Sequence, residues 1–270
     1  MQNYKELPIG VFDSGVGGLT VVKEILSNLP NEKIIYFGDT ARVPYGNKSP
    51  ETIIRYSKQI AEFLVSQDVK AIVIACNTAS AMALDAVRES VDVPVIGVVR
   101  PGTDAAIKAS DNHRIGVIGT EGTIRSGIYA RYIKEKDEKA VVFDKACPLF
   151  VNLVEEGMID DPVTVIMIHR YLDELVKEHD IDTLILGCTH YPLLQEVIRR
   201  EIGGRVKLVN PAYETACSLK QLLEEREIAS ITPPDAKAHK FYVSDAAEKF
   251  RHFAENILSL NIYSAELKVL

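Results

Sequence analysis

The chain of 270 residues has no long hydrophobic run; its longest unbroken apolar stretch covers only residues 71–76. A membrane-crossing helix needs about 18 or more such residues, so no membrane-spanning role is expected. Residues 1–6 (Met-Gln-Asn-Tyr-Lys-Glu) lack the basic start and apolar core of an export signal. A surplus of basic charge is also missing. Lys plus Arg number 31 against 38 for Asp plus Glu, a formal charge of −7, which argues against nucleic acid or an anionic membrane as the main partner. Cysteine is sparse. Cys76, Cys147, Cys188 and Cys217 lie far apart, which excludes a disulfide framework and favours free thiols in a cytoplasmic setting. No segment is low in complexity. With 47% hydrophobic and 26% charged residues, the chain has enough apolar material for a core.

Short β-rich runs alternate with helical patterns. Strands are expected over residues 7–12, 33–37, 69–75 and 93–99, and helices over 19–29, 50–67 and 78–90. Continuous apolar strands separated by helices indicate a parallel sheet covered on both faces. The pattern then restarts. Arg-Ile-Gly-Val-Ile at 114–118 echoes Pro-Ile-Gly-Val-Phe at 8–12, residues 68–76 are echoed by 180–188, and residues 91–98 by 203–210. The offsets are nearly constant, 106 from Ile9 to Ile115 and 112 from Cys76 to Cys188. The expectation is an α/β protein of two pseudo-symmetric domains, each a parallel sheet flanked by helices, with the active site in the cleft between them. The first domain would take residues 1–97 plus 210–270, the second 98–209. The tail, with a helix over 213–226 and a strand over 240–243, would pack back on the first copy.

The duplication puts Cys76 and Cys188 at equivalent strand ends, each before a helix start. Ligands of open α/β sheets bind at those ends, and a helix N-terminus favours thiolate. Two thiols meeting one cleft from opposite sides suit a stereoinverting proton transfer, in which one removes a proton from a carbon and the other returns one to the opposite face. His190 follows Cys188 by two residues and Asp13 ends the first strand, so each thiol has a polar helper. The other five histidines, His113, His169, His179, His239 and His252, are expected at the surface, and Cys147 and Cys217 in packing. The turn Asp13-Ser14-Gly15-Val16-Gly17-Gly18 also allows a dinucleotide reading, Gly15-x-Gly17-x-x-Thr20 with Asp39 at the ribose-binding distance. Thr20 at the third glycine position and the charge of Asp13 oppose it, and a carboxylate held by backbone N–H groups fits the same glycines. A metal held by Cys76, Cys188 and His190 is a further alternative, although no close cysteine pair is present. A two-lobed binding protein without catalysis is another.

Gly10-Val11-Phe12-Asp13-Ser14-Gly15-Val16-Gly17-Gly18, Pro44-Tyr45-Gly46, Ala75-Cys76-Asn77-Thr78-Ala79-Ser80 and Leu186-Gly187-Cys188-Thr189-His190-Tyr191-Pro192 together resemble the cofactor-independent aspartate/glutamate racemase superfamily, in its glutamate racemase branch. The resemblance covers nearly the whole chain. It implies interconversion of L- and D-glutamate for peptidoglycan in a bacterial cytoplasm, with no pyridoxal phosphate, metal or other cofactor. It implies that Cys76 works on the D-enantiomer with Asp13 as helper, and Cys188 on the L-enantiomer with His190. Asp13, Ser14, Tyr45, Gly46, Asn77, Thr78, Thr189 and His190 would hold substrate, with Asp39 and Glu155 assisting. A homodimer is the assembly the family suggests; aspartate is the sibling substrate. Arg100, and Asn210 where an Asp is common, depart from the family pattern.

Overall fold

The computed structural model describes residues 4–262 and 264–270. Two parallel sheets organise the chain. The first has six strands in the order β10-β9-β2-β1-β3-β4, the second four in the order β6-β5-β7-β8. The strands of the first half are β1 (Ile9–Asp13), β2 (Ile34–Gly38), β3 (Ala71–Ile74) and β4 (Val95–Gly97). Those of the second are β5 (Arg114–Gly119), β6 (Val141–Ala146), β7 (Thr183–Gly187) and β8 (Lys207–Val209). Each half therefore runs in the order second-first-third-fourth, which is the duplication expressed as topology. Strands β1 and β3 are buried along their whole length. Such strands read as unbroken apolar runs because helices cover both faces.

The helices are α1 (Leu19–Asn28), α2 (Pro50–Val65), α3 (Asn77–Arg88), α4 (Val99–Ala109), α5 (Glu121–Arg125), α6 (Ile128–Lys136), α7 (Leu149–Glu155), α8 (Pro162–Asp173), α9 (Gln195–Ile202), α10 (Pro211–Glu225) and α11 (Ala247–His252), of which α1, α3, α4, α7, α10 and α11 frame the site. Helix α10 packs on both α1 and α4 and so bridges the halves. Beyond it, β9 (Lys240–Val243) pairs with β2, and β10 (Ala265–Leu267) pairs with β9. The tail thus extends the first sheet, as expected. A buried ion pair secures the same lobe. Lys70 Nζ lies 2.6 Å from Glu32 Oε2 with both side chains essentially inaccessible, and it also donates to the carbonyl of Ile228 at 2.9 Å.

Several expectations need correction. The strand expected over 93–99 is only Val95–Gly97, because Val98 and Val99 turn into α4. Cys217 is exposed on α10 rather than packed. The five remaining histidines lie at the surface, as expected, with the side chains of His113 and His169 45% and 43% accessible, but four of them are engaged. His113 Nδ1 lies 2.6 Å from Asp137, His169 faces Asp173 and Glu201, His179 stacks on Phe143, and His239 accepts the Ile34 N–H. No helix among the described residues is long and apolar enough to cross a membrane.

Candidate active site

The carboxyl ends of β1, β3, β5 and β7 converge between the sheets. Cys76 leaves β3 and caps α3, its sulfur accepting the Ala79 N–H at 3.4 Å. Ser14 Oγ lies 3.6 Å from the same sulfur. Burial pushes the Cys76 thiol up to about 12. Asp13 and Cys188 add to this, while the Ala79 N–H and Ser14 oppose it. Cys76 therefore rests as a thiol at neutral pH.

Cys188 follows β7. Its Sγ is 3.8 Å from His190 Nδ1, and His190 Nε2 is 3.1 Å from Glu155 Oε1 at the end of α7. Burial drives the His190 imidazole down, but the Cys188 sulfur and the Glu155 carboxylate outweigh it and hold the ring up at about 10. His190 is thus an imidazolium at neutral pH, able to carry a proton beside the sulfur. Hydrogen bonding from His190 holds Glu155 below the usual carboxylate range, with burial opposing and Lys249 assisting.

Asp13 is buried, and desolvation raises its carboxyl against the His190 charge and the N–H groups of Gly15, Gly18 and Ser14. Its Oδ2 accepts the Gly15 N–H at 2.9 Å, while Oδ1 has no hydrogen-bond partner among the described residues. A buried acceptor left open in this way suits an incoming donor such as an ammonium group. The glycines of the turn are accounted for by close approach. A Cβ at Gly17 would sit 2.3 Å from Thr189 Oγ1 and 2.6 Å from His190 Nδ1, and one at Gly18 would sit 2.4 Å from Asp13 Cβ. The second lobe thus occupies the space above the turn where a dinucleotide reading would need a pyrophosphate.

Hydroxyls and amides close the other side of the cleft. Thr78 Oγ1 lies 2.9 Å from Thr120 Oγ1 and 3.1 Å from Thr123 Oγ1, and Tyr129 donates to Asn77 Oδ1 at 2.6 Å. Thr20 donates to the Thr189 carbonyl at 2.9 Å. Thr120, Thr123 and Tyr129 were not expected here from sequence. The one available signal was positional, since the offset of 106 makes Thr120 the counterpart of Ser14. The repeat also exposes an asymmetry. Asp13 and His190 act electrostatically on each other, whereas their counterparts by the repeat, Gly119 and Thr78, carry no titratable group.

Not every expected residue meets the thiols with its side chain. Tyr45 donates its hydroxyl to Asp39, and Asp39 also binds Arg42 and Ser244. Beside Tyr45, Gly46 abuts Thr120 and Gly122 of the facing half. Arg100 points away and lies over the Tyr132 ring at 4.0 Å. Asn210 caps α10 through the Ala212 N–H. Cys147 is buried near Cys188, its carbonyl accepting from Tyr191. No group of three His, Cys, Asp or Glu side chains among the described residues is arranged to hold a metal ion. The gap between Asn77 and the Cys188–Thr189 loop, walled also by Val21, Val98 and Pro211, is too narrow for a water molecule.

The family model for Asp/Glu/hydantoin racemases matches residues 9–216. A glutamate racemase of Geobacter metallireducens is 53% identical over 242 residues, covering 90% of this chain and 89% of that protein. Among solved structures, the glutamate racemase isoform RacE1 of Bacillus anthracis superposes with a TM-score of 0.92 at 42% identity, covering 98% of both chains. The glutamate racemase of Francisella tularensis in complex with D-glutamate gives 0.90 at 42% identity, again covering 98% of both.

Proposed function

The chain belongs to the Asp/Glu/hydantoin racemase family, and from that premise we propose that it interconverts L- and D-glutamate with Cys76 and Cys188 as the two proton-transfer groups. It is an amino-acid racemase, an isomerase. The observation that supports the reading is the placing of the two buried thiols at equivalent strand ends, Cys76 after β3 beside the Ser14 hydroxyl and Cys188 after β7 beside the His190 imidazole, where the two halves meet through Tyr129 and Asn77.

One sulfur, as thiolate, takes the α-proton and becomes a thiol. The electron pair left on the α-carbon spreads into the carboxylate, and the intermediate flattens. The opposite sulfur, a thiol, then gives its proton to the other face and becomes the thiolate. Protons and charge balance over the cycle, and the enzyme ends with its thiol and thiolate exchanged. His190, held as imidazolium by Glu155, carries a proton at Nδ1 beside Cys188. Asp13 faces the same region, and its open Oδ1 is suited to the substrate ammonium.

Ser14, Asn77, Thr78 and Thr189, together with the backbone at Tyr45 and Gly46, serve as substrate donors. The Thr120 and Thr123 hydroxyls join them. Such donors favour charge developing on the α-carboxylate, a contribution that is often the largest in a site of this kind. Closure of the lobes keeps water from the carbanion. Asp39 assists at one remove by fixing Tyr45. The lobes are assigned as residues 1–97 plus 210–270 and 98–209. The product, D-glutamate, feeds peptidoglycan, the setting is cytoplasmic, and the assembly is a homodimer, which sedimentation at micromolar concentration tests.

Circular dichroism of pure L- and pure D-glutamate with metal-free protein tests the reaction. Both signals should decay to zero, and the decay should survive a chelator. A stable signal in either direction rejects the reading. Aspartate should react more slowly, because one missing methylene costs about 1–3 kcal/mol.

A further inference from the structure

The C-terminal segment forms the outer wall of the Cys188 half-site, and one of its side chains is unaccounted for. Lys249, on α11, places Nζ 3.2 Å from Glu155 Oε2, while the other oxygen of that carboxylate holds His190 at 3.1 Å. The contact joins residues 94 apart in sequence and ties the tail of the first lobe to α7 of the second. The same segment reaches the site twice more. The Phe253 ring lies 6.1 Å from the His190 ring, and Phe250 stacks at 5.6 Å on Tyr36, whose hydroxyl donates to the Gly15 carbonyl at 2.8 Å. A cavity of about 150 Å³ opens here between the Gly15 turn, the loop at Thr40 and Val43, Glu155 and α11.

We propose that Lys249 is a positioning residue for the Cys188 half-reaction, holding Glu155 so that the carboxylate stays aimed at His190. The proposal rests on the racemase reading and extends it to a residue that does not touch substrate. The geometry is a linear chain, Cys188 to His190 to Glu155 to Lys249, with the ammonium as its outer anchor. The titratable groups that face His190 are Cys188, Glu155 and Asp13, and from the tail the uncharged Phe253 ring faces it. Lys249 is the cation on the outer face of Glu155. Without it the carboxylate is free to swing into the cavity.

Enantiomers have equal free energy, so kcat/KM must fall equally in both directions, and the direction of the fault shows only in isotope effects. Lys249→Met should lower kcat/KM about threefold, the range of a partly exposed pair, and Lys249→Glu on the order of tenfold through like-charge repulsion of Glu155; Lys249→Arg should restore it. The isotope effect with α-deuterated L-glutamate should rise in Lys249→Met and that with α-deuterated D-glutamate should fall, because only the Cys188 step is slowed. In a Glu155→Gln background, Lys249→Met should change nothing further. By NMR, the His190 ring should titrate at lower pH in Lys249→Met than in wild type, a readout that holds whether or not the protein racemises glutamate. An unchanged His190 titration, equal isotope shifts for the two enantiomers, or an undiminished Lys249 effect without Glu155 would each overturn the proposal. Failure of the wild type to racemise either enantiomer would instead reject the functional reading.

Discussion

Replacing Gly17 by alanine adds one methyl group where the lobes meet. The new Cβ would lie 2.3 Å from Thr189 Oγ1, 2.5 Å from His190 Cε1 and 2.6 Å from His190 Nδ1, all far inside van der Waals contact. None of these atoms is the end of a long flexible side chain. Thr189 is held by Thr20 through its carbonyl, and His190 is held by Glu155, so the loop must move as a unit. Overpacking of this kind costs about 1–3 kcal/mol. At roughly 2–4 °C per kcal/mol for a chain near this size, Tm should fall by about 2–12 °C. The rate should suffer more, because a displacement of about 1 Å at reacting groups costs on the order of 100-fold. Circular dichroism gives both quantities, from the thermal transition and from the decay of glutamate optical activity. Gly204→Ala is the control, since nothing lies within 4 Å of a Cβ at that exposed position. A Gly17→Ala protein with wild-type rate and Tm would refute the packing argument and reopen the dinucleotide reading of the turn.

Cys76→Ala or Cys188→Ala should abolish racemisation of both enantiomers; more than a few per cent of wild-type activity in either would reject the two-thiol scheme. The elevated His190 titration predicts a pH-dependent stability. The folded protein holds this proton up to about pH 10, whereas a free imidazole releases it near 6.5, so the contribution is full below 6.5 and lost as pH rises to 10. The urea midpoint should fall across that window, and less so in Glu155→Gln; equal slopes would contradict the assignment. Lys70→Met removes one partner of a buried ion pair and should cost about 3–5 kcal/mol in urea titration. The folded variant should keep its rate per molecule, and an unaltered midpoint would show that Glu32 finds compensation.

The candidate site was legible because the repeat aligned Cys76 with Cys188 at two strand ends, and ligand sites in such sheets lie there. The same repeat foretold a strand order that both halves share. Hydroxyl donors from the facing lobe were not legible. Thr120, Thr123 and Tyr129 belong to a helical pattern, and their partners Thr78 and Asn77 lie more than forty residues away. Strand β6 escaped notice because exposed Asp144 and half-buried Lys145 interrupt its apolar run. Strand β10 escaped because a three-residue edge strand carries almost no pattern. The Val98-Val99 pair misled for the opposite reason, since apolar residues that open a buried helix look like the continuation of a strand. Cys217 shows that a thiol on an amphipathic helix reads as core until the helix phase is known.

The central claim is that two sulfurs exchange protons with opposite faces of one α-carbon, and proton NMR in D₂O during the first turnovers tests it most directly. With L-glutamate as substrate, the D-glutamate formed should carry deuterium at the α-carbon while the unreacted L-glutamate keeps its hydrogen. Inverted product that retains the original α-hydrogen would mean that one group serves both faces, and the account would be wrong.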